Sequence, residues 1–333
     1  MIRIGLMSAA HMHAHGYAEA LHALSDAACV GIADDDAERG RAFAQQHELT
    51  YFESYEALLD ARPDGVIICS ENVHHASLMK LAASAGVHIM TEKPFTTTVE
   101  DGLSALDACR SARVKLMTAF PMRFNPPMRE VRDLIAGGTL GQVYAMNGTN
   151  QGQLPKRHRA WFVDKALAGG GAMMDHIVHL ADVMRWCLDS EAVEVYAQSN
   201  RILYAQDSDV ETGGLVMITF ANGVFATIDC SWSKPLAYPT WGGVTLDVIA
   251  ERGVVNANAF KQVFTVFNEA RVLPRYVYWG SDSDEGMVKE FVTSIREDRA
   301  PSVTGEDGLK ATEIVIAAYR SAETGQPVRL PLQ

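Results

Sequence analysis

The sequence predicts an α/β chain in two parts, an N-terminal doubly wound parallel sheet of Rossmann type and a C-terminal α+β domain with a mostly antiparallel sheet. Three observations predict it. Over the first third, short apolar runs alternate with amphipathic stretches, the pattern of parallel strands covered by helices on both faces. After about Pro121 the strands lengthen and show period-two features. The 333 residues also exceed the usual size of one domain and suffice for two cores, so domains over 1–121 and 122–333 are expected.

Five strands are predicted in the first part: Arg3 to Met7, Ala28 to Ala33, Gly65 to Cys69, His88 to Thr91 and Lys115 to Ala119. Each is rich in Ile, Val or Leu without clean alternation, as strands buried on both faces are. Tyr17, Leu21 and Leu24 fall on one helical stripe after the first strand, and Leu78, Leu81 and Ala82 on another after the third. In the second part, strands are expected over Val143 to Asn150, Leu215 to Phe220, Gly223 to Trp232 and Val244 to Ile249, with a helix around Asp175 to Cys187. The tail from Asp307 to Ala322 has helical spacing, and Gly325-Gln326-Pro327 stops it before a short last strand.

Composition narrows the function. With 48% hydrophobic residues, 21% charged residues and a net charge of -12, the chain reads as a globular protein that does not bind nucleic acid. Its one basic run is Lys156-Arg157-His158-Arg159. Five scattered cysteines without C-x-x-C spacing suit a reducing compartment. No apolar run reaches membrane-spanning length and the N-terminus lacks a signal-like core, so a cytoplasmic protein is expected.

The turn after the first strand is where a dinucleotide pyrophosphate is expected, facing backbone N–H groups and a helix N-terminus. In place of G-x-G-x-x-G the chain reads Gly5-Leu6-Met7-Ser8-Ala9-Ala10-His11-Met12-His13-Ala14-His15-Gly16. Ser8 and Ala10 stand at the expected glycine places, and Ala10 is ill suited to a positive φ. Ser8, Ala10, His11 and Met12 are the candidate cofactor contacts. On a helix, His11 and His15 share a face while His13 points elsewhere, so one metal ion is not expected to collect all three. At the end of the second strand, Asp34 lies near the distance at which an acidic residue reads the adenosine ribose. With Asp35 and Asp36 it repels a 2′-phosphate and favours NAD, while Arg39 keeps NADP open; the simpler alternative is that these carboxylates cap the following helix.

Two more loops fall on the same sheet edge, Ser70-Glu71-Asn72-Val73-His74-His75 and Thr91-Glu92-Lys93-Pro94-Phe95. Ser70, Glu71, Asn72, His75, Glu92 and Lys93 are candidate cofactor contacts there. A partly desolvated Lys93 is the best proton-transfer candidate of the first part. In the second part, Asp175 and His179 follow the run Gly169-Gly170-Gly171 and are one helical turn apart. The run permits close approach of a ligand, and a carboxylate beside an imidazole can deprotonate a hydroxyl. Metal ligation with His176 as a third group, or buried structural hydrogen bonding, are the competing readings of these residues.

Taken together, these motifs resemble the family of glucose-fructose oxidoreductase, inositol dehydrogenase and the rhizopine catabolism protein. The likeness runs nearly end to end: Asn72-x-x-His75, Glu92-Lys93-Pro94, Arg123-Phe124-Asn125-Pro126, Gly138 to Val143, Asp175-x-x-x-His179 and Val303 to Ala322 keep the family's order and spacing. The resemblance implies a Rossmann domain followed by an open-faced sheet domain through which dimers or tetramers form. It also implies a tight Lys93-Pro94 bond, often cis, and an NAD(P)-dependent oxidoreductase acting on a secondary alcohol or ketone of a sugar or polyol. Lys93 and His179 then handle the proton and Asp175 orients substrate or imidazole, with Arg123, His158, Trp161 and His176 as substrate-pocket residues. The glycine-poor turn and His176 depart from the family pattern. Alternatives are a relative that uses tightly bound NAD for transient oxidation during elimination or epimerisation, a non-catalytic dinucleotide or sugar sensor, and a metal-dependent hydrolase or lyase.

Overall fold

The structure, a computed structural model, describes residues 1–238, 240–261, 263–266, 275–278 and 282–332. The first part of the chain runs β1 (Ile2–Met7), α1 (His13–Ala23), β2 (Ala27–Ala33), α2 (Ala37–Gln46), β3 (Tyr51–Phe52), α3 (Tyr55–Asp60), β4 (Gly65–Ile68), α4 (His75–Ser84), β5 (His88–Thr91), α5 (Val99–Ala112) and β6 (Leu116–Thr118). It continues with α6 (Pro126–Ala136), β7 (Val143–Gly152), α7 (Lys165–Ala168), α8 (Ala172–Leu188), β8 (Ala192–Asn200), β9 (Gly213–Phe220), β10 (Phe225–Asp229), β11 (Gly242–Ala250) and β12 (Gly253–Asn258). Last come β13 (Val263–Val266), β14 (Arg275–Tyr278), α9 (Ser283–Arg296), α10 (Gly305–Thr324) and β15 (Val328–Arg329). Two compact units result: Met1–Pro121 with Lys156–Gly169 and Asp284–Thr312, and Met122–Pro155 with Gly170–Ser283 and Glu313–Gln333.

In the first unit six parallel strands lie in the order β3-β2-β1-β4-β5-β6. The order reverses between β1 and β4, which is where an open doubly wound sheet forms its ligand crevice. The register aligns Met7 with Ala33 and Ile68, and Ile68 with Thr91, so four strands end level and deliver their loops to one edge. Ile4, Leu6, Ile67, Ile68 and Met90 are fully buried, which accounts for their unbroken apolar runs. β3 is the strand the sequence pattern did not show. It is two residues long and pairs only with the end of β2.

α9 covers the start of β4: a Cβ on Gly65 would stand 2.9 Å from Ile295 and 3.0 Å from Phe291. Lys115 to Asp298 at 2.7 Å and an ion pair between Arg296 and Asp26 hold the same segment to the sheet. The stretch 156–169 joins this unit through Ala168, whose carbonyl accepts from Asn72 Nδ2 at 2.9 Å.

The second unit carries a seven-stranded sheet, β12-β11-β7-β10-β9-β8-β15, antiparallel except for the parallel pair β7 and β10. Alternation decides its faces. Met146, Val216, Ile218, Ala226, Ile228, Leu246 and Val248 are buried, whereas Tyr144, Leu215, Met217 and Phe225 point outward and are exposed. α8 lies on the buried face, with Leu180 and Met184 filling the space that a Cβ on Gly148 would need. β8 and β12 add two strands beyond those expected. No helix among the described residues is long and apolar enough to cross a membrane, and all five cysteines are free thiols.

Candidate active site

At the end of β1 the chain turns sharply at Ser8, with φ +71°, so the left-handed residue is the serine and not Ala10. A non-glycine residue there costs about 1 kcal/mol. The hydroxyl offsets part of this by accepting from Ala10 N at 3.1 Å. Asp34 closes on the turn from β2, where its carboxylate accepts from Ala9 N at 2.7 Å. It also takes Arg39 Nε at 2.9 Å and Nη2 at 2.6 Å. Arg39 spans the edge further, to Asp35 at 2.9 Å, Ser8 Oγ at 3.3 Å and Glu71 at 3.4 Å. Burial raises the Asp34 carboxyl above the ordinary aspartate range against the pull of Arg39 and the Ala9 amide. Despite its own burial, Arg39 is held firmly protonated by Asp34, Glu71 and Asp35. Helix capping falls to Asp36, which accepts from Glu38 N and Arg39 N.

The expected pairing of His11 with His15 is not what forms. α1 begins only at His13, so His11 precedes the helix and turns inward, while His15 pairs with His47 at 2.7 Å. His11 and His13 instead converge on Glu92, with Nδ1 atoms 3.8 Å and 2.8 Å from Oε1. Glu92 is fully buried and also accepts from Tyr17 Oη at 2.5 Å and from Lys93 N at 3.0 Å. The imidazoles of His11 and His13 hold its carboxyl well below the usual range against burial, and burial keeps His11 neutral near pH 7.

His11 Nε2 lies 3.1 Å from Arg159 Nη1. On its other side the ring places Nδ1 3.3 Å from the His13 backbone N–H, which donates to it. His11, His13 and Glu92 thereby bring three ligand-type atoms within 4.8 Å of one another. The Arg159 and Lys93 charges beside His11 oppose a cation there. Trp161 donates its indole N–H to Ala10 O at 3.0 Å, so this candidate pocket residue buttresses the phosphate turn. The buried member of the basic run is Arg159, and His158 is exposed.

The loop after β4 is tied inward. Ser70 Oγ donates to Glu71 O at 3.1 Å. His75, fully buried, places Nδ1 2.7 Å from Pro94 O and Nε2 3.3 Å from Ser70 O, so it stitches this loop to the cis Lys93-Pro94 bond. Burial lowers the His75 pKa. Those contacts make His75 and Glu92 holders of the loops that carry Lys93. Lys93 itself is 3% exposed, with Nζ 5.9 Å from the Phe162 ring centroid.

In the second unit the glycine run has a packing role. A Cβ on Gly170 would fall 2.0 Å from Tyr319 Oη, and one on Gly171 2.0 Å from Glu211 O. Glu211 caps α8, accepting from Gly171 N at 2.9 Å, Met173 N at 3.0 Å and Tyr319 Oη at 2.7 Å. Gly170 and Gly171 thus admit the cap. One turn on, Asp175 accepts from Trp232 Nε1 at 3.2 Å and lies 3.1 Å from His176 Nε2. His176 packs over Gly152, whose added Cβ would meet the ring at 3.1 Å. His179 stands on the same helix, half-buried. The fork of Arg123, a candidate substrate-pocket residue, grips the buried Asp182 at 2.8 and 2.5 Å, tying the segment before α6 to α8. Glu211, Tyr319 and Trp232 were missed in the sequence, because each acts from a place remote along the chain: Glu211 just before β9, Trp232 just after β10 and Tyr319 on α10.

Each unit therefore presents titratable groups: Lys93 beside the buried Glu92 in the first, Asp175, His176 and His179 on one helix in the second. Residues 2–120 match the family model described as the oxidoreductase family with NAD-binding Rossmann fold, GFO/IDH/MocA. Residues 128–256 match the GFO/IDH/MocA C-terminal domain. The chain is 29% identical over 310 residues to the uncharacterized oxidoreductase YrbE of Bacillus subtilis, covering 90% of this chain and 88% of that protein. Against myo-inositol 2-dehydrogenase of Thermotoga maritima identity is 26%, covering 94% of each. In fold it is similar to GenD2 from gentamicin A biosynthesis, solved in complex with NAD, with a TM-score of 0.90 at 22% identity over 99% of this chain and 97% of that one.

Proposed function

The chain belongs to the GFO/IDH/MocA family of NAD-binding oxidoreductases, and from that premise we propose that it oxidises or reduces a secondary alcohol or ketone of a sugar or polyol. In this reading the Rossmann part binds dinucleotide and the remainder of the chain binds substrate. The first unit fits a dinucleotide: a left-handed turn at Ser8, an α1 N-terminus where Met12 supplies no side-chain cap, and Asp34 at the end of β2. NAD, when bound, takes up or returns the hydride at its nicotinamide ring.

The observation that carries the reading is Lys93, almost wholly buried at the level ends of four parallel strands and followed by a cis proline. Lys93 and His179 exchange the hydroxyl proton as hydride leaves the carbinol carbon, and Asp175 orients the imidazole or the substrate. Asp175 is suited to this because Trp232 and His176 fix its carboxylate. Asp34, backed by Asp35, favours NAD(H) over its 2′-phosphorylated form. The outward row of Tyr144, Leu215, Met217 and Phe225 supports self-association through the sheet, and a chain of this kind is expected to work in the cytoplasm.

The test is a screen of sugars and polyols with NAD, read as absorbance of NADH, on the native protein and on Lys93→Met. Turnover with at least one such substrate is expected, and about a 100-fold or greater loss in the variant. Undiminished turnover in Lys93→Met removes Lys93 from the chemistry. For self-association, Phe225→Glu should lower the mass measured by light scattering, and an unchanged mass would remove that face from the interface.

A further inference from the structure

The histidines at the start of α1 divide into two sets. His11 and His13 converge on Glu92, while His15 meets His47, the residue that ends α2. His15 Nδ1 and His47 Nε2 stand 2.7 Å apart, and both side chains are half-buried. Neither has a part in the proposed reaction. Phe43 seats the pair: its ring centroid lies 4.7 Å from that of His15 and 4.5 Å from that of His47. Phe43 is itself buried and one turn before His47, so both imidazoles rest against a fixed wall.

Two facing imidazole nitrogens at that separation share one proton, and the same two lone pairs can share a cation. Zn–N bonds of about 2.0–2.1 Å put two ligating nitrogens about 2.9 Å apart at a right angle and about 3.3 Å apart at the tetrahedral angle. Taking up an ion therefore parts the rings by only about 0.2 to 0.6 Å. The surroundings favour it. Glu19 is exposed, stands four residues after His15 on the same face of α1, and its negative charge reaches the imidazole. Burial lowers the His15 pKa, so at pH 7 the ring keeps the lone pair that a metal needs. At His11 the Arg159 and Lys93 charges act against a cation, whereas the groups that act on His15 are His47 and Glu19.

We propose that His15 and His47 form a divalent transition-metal site that bridges α1 and the end of α2, with Glu19 turning in as a third ligand. Imidazole donors select Zn²⁺, Ni²⁺ or Co²⁺ over Mg²⁺ and Ca²⁺, which take oxygen ligands. The proton between the facing nitrogens moves to the outer nitrogen of its own ring, and water fills the remaining coordination positions. The site lies within the first unit and does not rest on the dehydrogenase reading. Its effect is to tie the first turn of α1 to α2.

The experiment is calorimetric titration of the full chain, stripped of metal with a chelator, by Zn²⁺ and by Ni²⁺. It compares native protein with His15→Ala, His47→Ala, Glu19→Gln, His13→Gln and the exposed control His74→Ala. Native protein is expected to bind one ion per chain. His15→Ala and His47→Ala should each weaken binding by at least about 10-fold, since even an outer-shell partner commands that much. Glu19→Gln should weaken it by less, and His13→Gln and His74→Ala should leave it unchanged. Native protein that binds neither ion overturns the proposal and leaves the pair a shared-proton hydrogen bond. Binding that either His15→Ala or His47→Ala leaves intact also overturns it, and loss in His13→Gln instead puts the ion at Glu92. An undiminished affinity in Glu19→Gln overturns the part given to that carboxylate. Should an alanine variant not fold, His15→Gln and His47→Gln carry the test, since each keeps a polar side chain and loses the imidazole.

Discussion

Replacing Glu92 by glutamine tests whether the buried carboxylate organises the loop that carries Lys93. The native side chain is fully buried and accepts from Tyr17 at 2.5 Å, His13 at 2.8 Å and Lys93 N at 3.0 Å, so all three neighbours are donors. An amide of the same shape keeps one acceptor oxygen and turns its NH2 toward at least one of those donors. One charge-assisted bond is lost, worth about 1.5–3 kcal/mol, and one buried donor is left opposed, costing about 1–3 kcal/mol more. Partial relaxation brings the expected loss to about 3 kcal/mol. Urea unfolding of native and Glu92→Gln protein at pH 7 measures it, with Tyr17→Phe as the smaller step of about 1 kcal/mol because it removes a single hydroxyl. A loss below about 1 kcal/mol for Glu92→Gln refutes the claim that three donors converge on a charged carboxylate.

Burial lowers the pKa of His11 and His75, so below about pH 6.5 the unfolded chain binds protons that the folded chain does not, and stability falls as pH drops through that window. The raised carboxyls of Asp34 and Glu211 act in the opposite sense above about pH 4.5, so the difference between native and His75→Gln isolates one group. That difference should change by up to about 1.4 kcal/mol per pH unit between pH 6.5 and 5, and a flat difference would show His75 is not held neutral. Gly171→Ala should cost several kcal/mol, because the new methyl lands on the Glu211 carbonyl, and calorimetric melting that is unchanged would dismiss the packing role of the glycine run. Asp182→Asn should destabilise by about 3–5 kcal/mol by removing the buried charge that faces the Arg123 guanidinium, whereas an effect on KM without an effect on stability would favour a substrate role for Arg123 over a structural one.

The doubly wound sheet was legible because Ile4, Leu6, Ile67 and Ile68 form unbroken apolar runs that only a fully covered strand explains. β3 was not, since Tyr51 and Phe52 are too few for any period to show. β12 was hidden by its composition: Gly253-Val254-Val255-Asn256-Ala257-Asn258 is an edge strand with mostly exposed residues and little apolar alternation. Among the candidate residues, Lys93, Asp175 and His179 could be singled out from local motifs. Their supporting shell could not, because Asp34 meets Ala9, Tyr17 meets Glu92 and Glu211 meets Gly171 across distances along the chain that no local pattern encodes. Ser8 shows a finer limit: small residues at two glycine places were visible, but the left-handed one was decided by the Ser8 hydroxyl and the Asp34 carboxylate closing the turn. For Arg159 a local signal existed in its spacing of three from Phe162, which in a tight turn puts a guanidinium over a ring.

The central claim is that a turn without glycines still serves a nicotinamide dinucleotide beside Lys93. Titration of the purified protein with NADH, followed by nicotinamide fluorescence and repeated on Lys93→Ala, tests it most directly. Saturable binding that persists in the variant, with turnover lost, is the predicted result; no saturable binding of NADH or NADPH to native protein free of retained nucleotide would contradict it.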